Sequence, residues 1–150
     1  MTENKTLDRK DVPETDKWNL SSLYKSNDDW ENDLKALEPL VQKVASFNGK
    51  LGESSETLLE ALKSLEQAEL KLETIYNYAS LQHNADEDDS AAADREGRAS
   101  MAYTDFSAKL SFFDPELQAI PDEKINEWIE LPEFADYKIY LKKLLRLKPY

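Results

Sequence analysis

The chain reads as an all-α protein: a helical bundle built on a long antiparallel helical hairpin, about 54–117, with flanking helices. Three observations carry that reading. Apolar residues recur at steps of three and four through two long stretches. An acidic break, Asn84 to Asp89, separates those stretches. No run alternates apolar and polar residues long enough to make a strand. In the first arm the stripe is Leu58, Leu62, Leu65, Ala68, Leu72, Ile75 and Ala79; in the second it is Ala99, Ala102, Phe106, Leu110, Phe113 and Leu117. An arm of about 28 residues is about 42 Å long, so the hairpin sets the length of the domain.

Residues 1–17 are polar, broken by Pro13, and read as an N-terminal arm without a core of its own. Residues 18–150 read as a single helical domain. Trp18, Leu20, Leu23 and Tyr24 need a surface to cover, and the expectation is an extended or turn segment packed on the bundle. A peptide pocket is the competing reading of that tryptophan. Ser26 and Asn27 before Asp28 and Asp29 make a helix start, because side-chain oxygens cap free N–H groups and acids favour the positive end of the dipole. Trp30, Leu34, Leu37, Val41, Val44 and Phe47 form its stripe. Pro39 falls inside and predicts a bend or a break near Lys35. Asn48 and Gly49 end the helix, with Gly49 suited to a left-handed cap.

Ser54 or Ser55 caps the first hairpin arm. The acids ahead of Ser90 suit the positive end of the next helix, and alanines 91 to 93, 99 and 102 permit close helix approach. Pro115 and Pro121 interrupt or end the second arm. A short helix follows with Ile125, Trp128 and Ile129 inward, and Pro132 breaks it. The last helix presents Phe134, Tyr137, Leu141, Leu144 and Leu145, carries Lys138, Lys142, Lys143, Arg146 and Lys148 towards its negative end, and stops at Pro149.

Composition narrows the function. A net charge of −12 opposes binding to nucleic-acid phosphates or an anionic membrane. The absence of cysteine removes disulfides, thiolate metal sites and cysteine nucleophiles. No apolar run approaches the roughly 20 residues that span a bilayer, and residues 1–6 lack the apolar core of a signal peptide. The expectation is a soluble, cytoplasmic protein. His83 is the one imidazole in the sequence, and Asp86, Glu87, Asp88 and Asp89 beside it lack the ligand spacing and glycine of a calcium loop. Zinc wants more nitrogen or sulfur than one histidine supplies. Glycines stand at 49, 52 and 97 alone, too few for a phosphate loop. The residues therefore name no catalytic, cofactor-binding or metal-binding site.

Several segments, in order, resemble the N-terminal region of the oligoendopeptidase F family of zinc metallopeptidases, relatives of thimet oligopeptidase. They are Trp18 to Tyr24, Gly49 to Gly52, Tyr76 to His83 with the acidic turn, Pro115 to Leu117, Ile120 to Ile125, and Tyr140 to Pro149. The resemblance implies a mostly helical, cytoplasmic peptidase that hydrolyses short peptides inside an enclosed cavity. Its zinc would sit on a His-Glu-x-x-His helix far downstream of the matched region, where the two histidines share the metal and the glutamate activates water. This chain has no such motif, so it carries no cofactor itself and zinc is expected only in the parent's catalytic domain. The implied role is an N-terminal wall or lid of the substrate cavity, inactive alone, with the remainder of its own peptidase chain as partner and short peptides as the parent's substrates. Tyr76, Tyr103 and Tyr140 mark one face that could meet the cavity or that remainder. The alternative is a stand-alone acidic helical binding or adaptor module without enzymatic activity.

Overall fold

A computed structural model describes residues 23–147. Among them are six α-helices and no strand: α1 (Asn27–Ala45), α2 (Ser55–Ala85), α3 (Ser90–Lys109), α4 (Phe113–Ala119), α5 (Asp122–Ile129) and α6 (Lys138–Arg146), with a 3-10 helix at Pro132–Phe134. The all-α expectation holds. The polar arm, Trp18, Leu20 and Pro149 lie outside the described residues.

Helix starts follow the side-chain chemistry. Ser26 Oγ accepts the Asp29 N–H at 3.2 Å and opens α1. Ser54 Oγ accepts the Thr57 N–H at 3.1 Å and opens α2. Asp89 accepts the N–H groups of Ala91 and Ala92 at 3.0 and 3.2 Å and opens α3, so one acid of the break is a helix cap.

Two local expectations need correction. Of the bend or break expected at Pro39, the break does not occur: α1 runs continuously through it. The proline removes a single hydrogen bond, and both Pro39 and Lys35 are exposed, so water can serve the carbonyl left over. The second hairpin arm does not reach 117: α3 ends at Lys109 and α4 begins at Phe113. Pro115 explains the interruption. It lacks an N–H and its ring would clash with the carbonyl four residues back, but it fits the first turn of a new helix, where N–H groups have no helical partner anyway. The Phe113 N–H closes a tight turn on the Leu110 carbonyl at 3.2 Å.

The described residues divide into two compact units, 23–36 with 71–104 and 37–70 with 105–147. In the first, Asn27, Trp30 and Asp33 of α1 meet Tyr78, Ile75 and Lys71 of α2, an antiparallel order. There α2 meets α3 antiparallel as well, through Tyr76 with Tyr103, Gln82 with Arg95 and His83 with Glu96. Its buried residues are Tyr24, Trp30, Leu72, Ile75, Tyr78, Ala79, Ala92 and Ala99.

The second unit is aliphatic and phenyl-rich. Leu37, Val41 and Val44 of α1 are buried, with Leu58, Leu62, Leu65 and Ala68 of α2. Phe106, Leu110, Phe113 and Leu117 are buried on the chain from α3 into α4, and Ile125, Trp128, Ile129, Phe134, Leu141 and Leu144 beyond it. Each fully buried side chain of this size contributes about 1.5–3 kcal/mol relative to exposure. Every residue of the first-arm stripe is buried.

Candidate functional site

Three of the segments that carry the family resemblance come together in the second unit: the turn Gly49 to Gly52, the start of α4, and the entry to α5. The turn follows α1 at a distance, since the helix ends at Ala45 and Gly49 does not cap it. The Lys50 N–H instead bonds the Phe47 carbonyl at 2.8 Å across Asn48 and Gly49. Gly49 takes φ 83°, the left-handed region that costs an L-residue about 1–2 kcal/mol, and this is what the turn requires of it.

Two side chains fasten this turn. The Lys124 ammonium donates to the Gly52 carbonyl and stands 5.1 Å from the centroid of the Trp128 ring. Glu116 reaches Gly49 from the first turn of α4. Burial pushes its carboxyl above the usual carboxylate range, and the Gly49 N–H pulls the other way. Glu116 Oε2 is buried without a hydrogen-bond partner. A carboxyl of raised pKa is a recognised mark of acid–base sites. General catalysis nevertheless needs a positioned second group, and the neighbours of Glu116 here are a backbone turn and α4 itself. The cluster holds a loop; it does not assemble a nucleophile with a base.

The segment Tyr76 to His83 falls in the first unit and belongs to a polar seam. Tyr78 Oη donates to Asn27 Oδ1 at 2.8 Å, Gln82 donates to the same oxygen at 2.9 Å, and Arg95 Nε donates to Gln82 Oε1 at 2.9 Å. Burial raises the Tyr78 hydroxyl, with Arg95 opposing. His83 Nδ1 lies 2.8 Å from Glu96 Oε2, a helix-to-helix contact. Among the described residues no group of three or more His, Asp or Glu could hold a metal ion. The donor set does not fit zinc, with one imidazole and no thiol in the whole sequence.

Next to that seam lies an arrangement that sequence reasoning missed. Arg98 forks onto both carboxylate oxygens of Glu31, at 2.7 Å for Nη2, and its guanidinium stands 5.3 Å from the Trp30 ring centroid. The Arg98 hydrogen bonds hold Glu31 below the ordinary glutamate range. Trp30 is wholly buried and its Nε1–H donates to the Ile75 carbonyl at 2.9 Å. Asp33 receives both the Lys71 ammonium and the Tyr24 hydroxyl at 2.8 Å. Burial raises Asp33, but those two donors outweigh it and the carboxyl ends below its usual range. No short motif announces any of these pairs, because Glu31 and Arg98 stand 67 residues apart.

Tyr76 and Tyr103 do meet, with ring centroids 6.2 Å apart. Tyr140 belongs to the second unit, where its hydroxyl donates to Asp114 at 3.1 Å and burial is the main cause of its raised pKa.

Comparison with known proteins adds what the geometry lacks. The family model described as Oligopeptidase F matches residues 116–150, from α4 to the end of the chain. The chromosomal oligoendopeptidase F of Lactococcus lactis subsp. cremoris is 28% identical over 145 residues, covering 95% of this chain and 24% of that protein. Oligopeptidase PepF of Bacillus subtilis is 25% identical over 148 residues, covering 98% of this chain and 22% of that one. A solved structure from Chlamydophila abortus superimposes with a TM-score of 0.87 at 26% identity, over 96% of this chain and 24% of the other. The chain thus spans about a quarter of the length of these relatives.

Proposed function

We propose, on the premise that this chain corresponds to the N-terminal part of oligoendopeptidase F peptidases, that it is the helical N-terminal domain of a zinc metalloendopeptidase acting on short peptides. Residues 18–150 form one domain of that enzyme, a wall or lid of the substrate cavity, and the enzyme works in the cytoplasm. The observation that carries the reading is the lopsided coverage: relatives align to nearly all of this chain, yet it accounts for a quarter or less of each. No helix among the described residues is long and apolar enough to cross a membrane, in keeping with a soluble enzyme.

The chain contributes shape and contact surface. Metal chemistry belongs to a downstream His-Glu-x-x-His helix, where zinc would polarise the peptide carbonyl and its bound water. The coding frame beyond the codon for Tyr150 supplies the test. It is expected to continue into that helix, and the full-length product should cleave a fluorogenic oligopeptide in a zinc-dependent manner while the 150-residue chain cleaves none. A stop codon after Tyr150, or zinc-dependent hydrolysis by the chain itself, would overturn the proposal; a stop codon would leave the binding or adaptor module.

A further inference from the structure

The inward face of α6 is firmly seated. Leu141 and Leu144 are buried. Tyr137 Oη donates to Glu66 at 2.7 Å, and Gln118 donates to the Leu144 carbonyl at 3.2 Å. The outward face is different. Ile139 is 84% exposed and Leu147 is 70% exposed. With Lys143 between them they stand at i, i+4 and i+8, one line about 12 Å long that runs along α6 to Leu147, the residue capping its end in helical conformation. Lys142 and Arg146 flank that line.

Charge sets this face apart from the rest of the molecule. The chain carries −12, yet residues 138–146 hold four basic side chains and no acid. Lys138 pairs with Glu130 at 2.9 Å, and Lys142 adds to the field on the same carboxylate. Among the described residues, Lys143 and Arg146 have no ion-pair partner. A single exposed apolar residue needs no explanation. Two on one line, flanked by cations on a helix whose other face is buried, have the make-up of an interface: an apolar centre with a polar rim. The acidity of the whole chain opposes nucleic acid or an anionic membrane as the cover.

We infer that the outward face of α6, Ile139, Lys142, Lys143, Arg146 and Leu147, is the surface on which the downstream part of the peptidase polypeptide docks, presenting carboxylates around an apolar centre. This rests on the proposed function. It goes beyond it by naming the surface and the chemistry of what covers it. The family match, which runs from α4 through this helix, places α6 in the region this chain shares with those proteins.

The absence of cysteine from these 150 residues makes the test direct. Ile139→Cys is introduced into this chain and into the full-length product, with Met101→Cys, 73% exposed in the first unit, as reference. Maleimide labelling at each cysteine is timed by mass spectrometry. Relative to the reference, Ile139→Cys should label about tenfold more slowly in the full-length protein than in the 150-residue chain, because a packed interface excludes reagent and water. Adding Lys142→Glu, Lys143→Glu and Arg146→Glu to the full-length protein should restore fast labelling, whereas Lys142→Arg with Lys143→Arg should not. Equal labelling in the two proteins, or slow labelling that survives the charge reversal, overturns the inference and leaves the peptidase reading standing. Concentration-dependent protection in the 150-residue chain alone overturns it in favour of a second copy. A coding frame that stops at Tyr150 overturns both together.

Discussion

The two units solve helix packing by different means. In the second, most inward residues are leucine, isoleucine, valine and phenylalanine, with Trp128 and the small Ala61, Ser64 and Ala68 among them, and removal of apolar surface from water carries the cohesion. In the first, the helices meet through alanines at 79, 92 and 99 and through aromatic residues whose polar tips are bonded to a neighbouring helix. Small residues bury little area. The first unit therefore leans on bonds with fixed geometry, which specify partners sharply but fail when one member is removed or changes charge. The second tolerates change of shape within limits, and among its described residues Glu116 is the buried charge whose state matters to it.

The largest test of that contrast pairs Trp30→Ala with Phe134→Ala. Both side chains are essentially inaccessible, and each truncation should cost about 3–5 kcal/mol in urea unfolding. The distinction lies in rescue. Trp30→Phe refills much of the space but removes the Nε1–H bond to the Ile75 carbonyl, which keeps its helical donor within α2, and leaves a gap where the rest of the indole stood; it should still cost about 1–3 kcal/mol. Phe134→Leu leaves no polar group unpaired and should cost less than about 1.5 kcal/mol. Equal costs for the two conservative changes would erase the contrast.

Next comes Arg98→Met. The pair with Glu31 is partly exposed, 39% and 34% on the two side chains, so solvent screening limits the loss to about 1 kcal/mol near neutral pH even with the ring contact included. The sign with pH follows from Glu31, whose folded pKa is depressed. Its contribution is fully present above the unfolded value of about 4.3 and is lost as pH falls through the folded one. The gap between native and variant should thus narrow in acid, read as converging thermal midpoints. A gap unchanged down to pH 2 would mean that stacking on Trp30, rather than the ion pair, supplies the effect.

Glu116→Gln is the smallest test and has the opposite sign. The folded carboxyl is raised, so the native state holds its proton more tightly than the unfolded chain, and stability falls as pH climbs from the unfolded pKa through the folded one. Removing the charge should stabilise the second unit by about 0.5–1 kcal/mol at pH 7, a gain that vanishes in acid. A loss at pH 7 would show that the Gly49 bond outweighs burial.

Much of this architecture can be read from residue spacing alone. The first-arm stripe is buried without exception, and Ile125, Trp128 and Ile129 are all inward, because burial demands a helical period that survives in the sequence. Element ends were harder. Pro39 and Pro115 carry the same chemistry, yet one is absorbed in the middle of a helix and the other stands three residues into a new one, and only packing decides which. The polar seam was not legible at all. Glu31 with Arg98, or Tyr78 with Asn27, requires knowing which helices are neighbours, and residue types common on any acidic surface give no hint of it. Nor does the position of Glu116 beside the Gly49 turn follow from any local pattern.

Trp30 and Trp128, one in each unit, each have a basic side chain about 5 Å from the ring centre. Indole emission responds to a nearby cation and to exposure to water. The molecule therefore carries its own pair of optical reporters, with Trp18 as the third emitter to be silenced by substitution. Keeping one indole at a time would let ordinary fluorescence follow the loosening of either unit without an added dye, and would show whether they come apart at one denaturant concentration or at two.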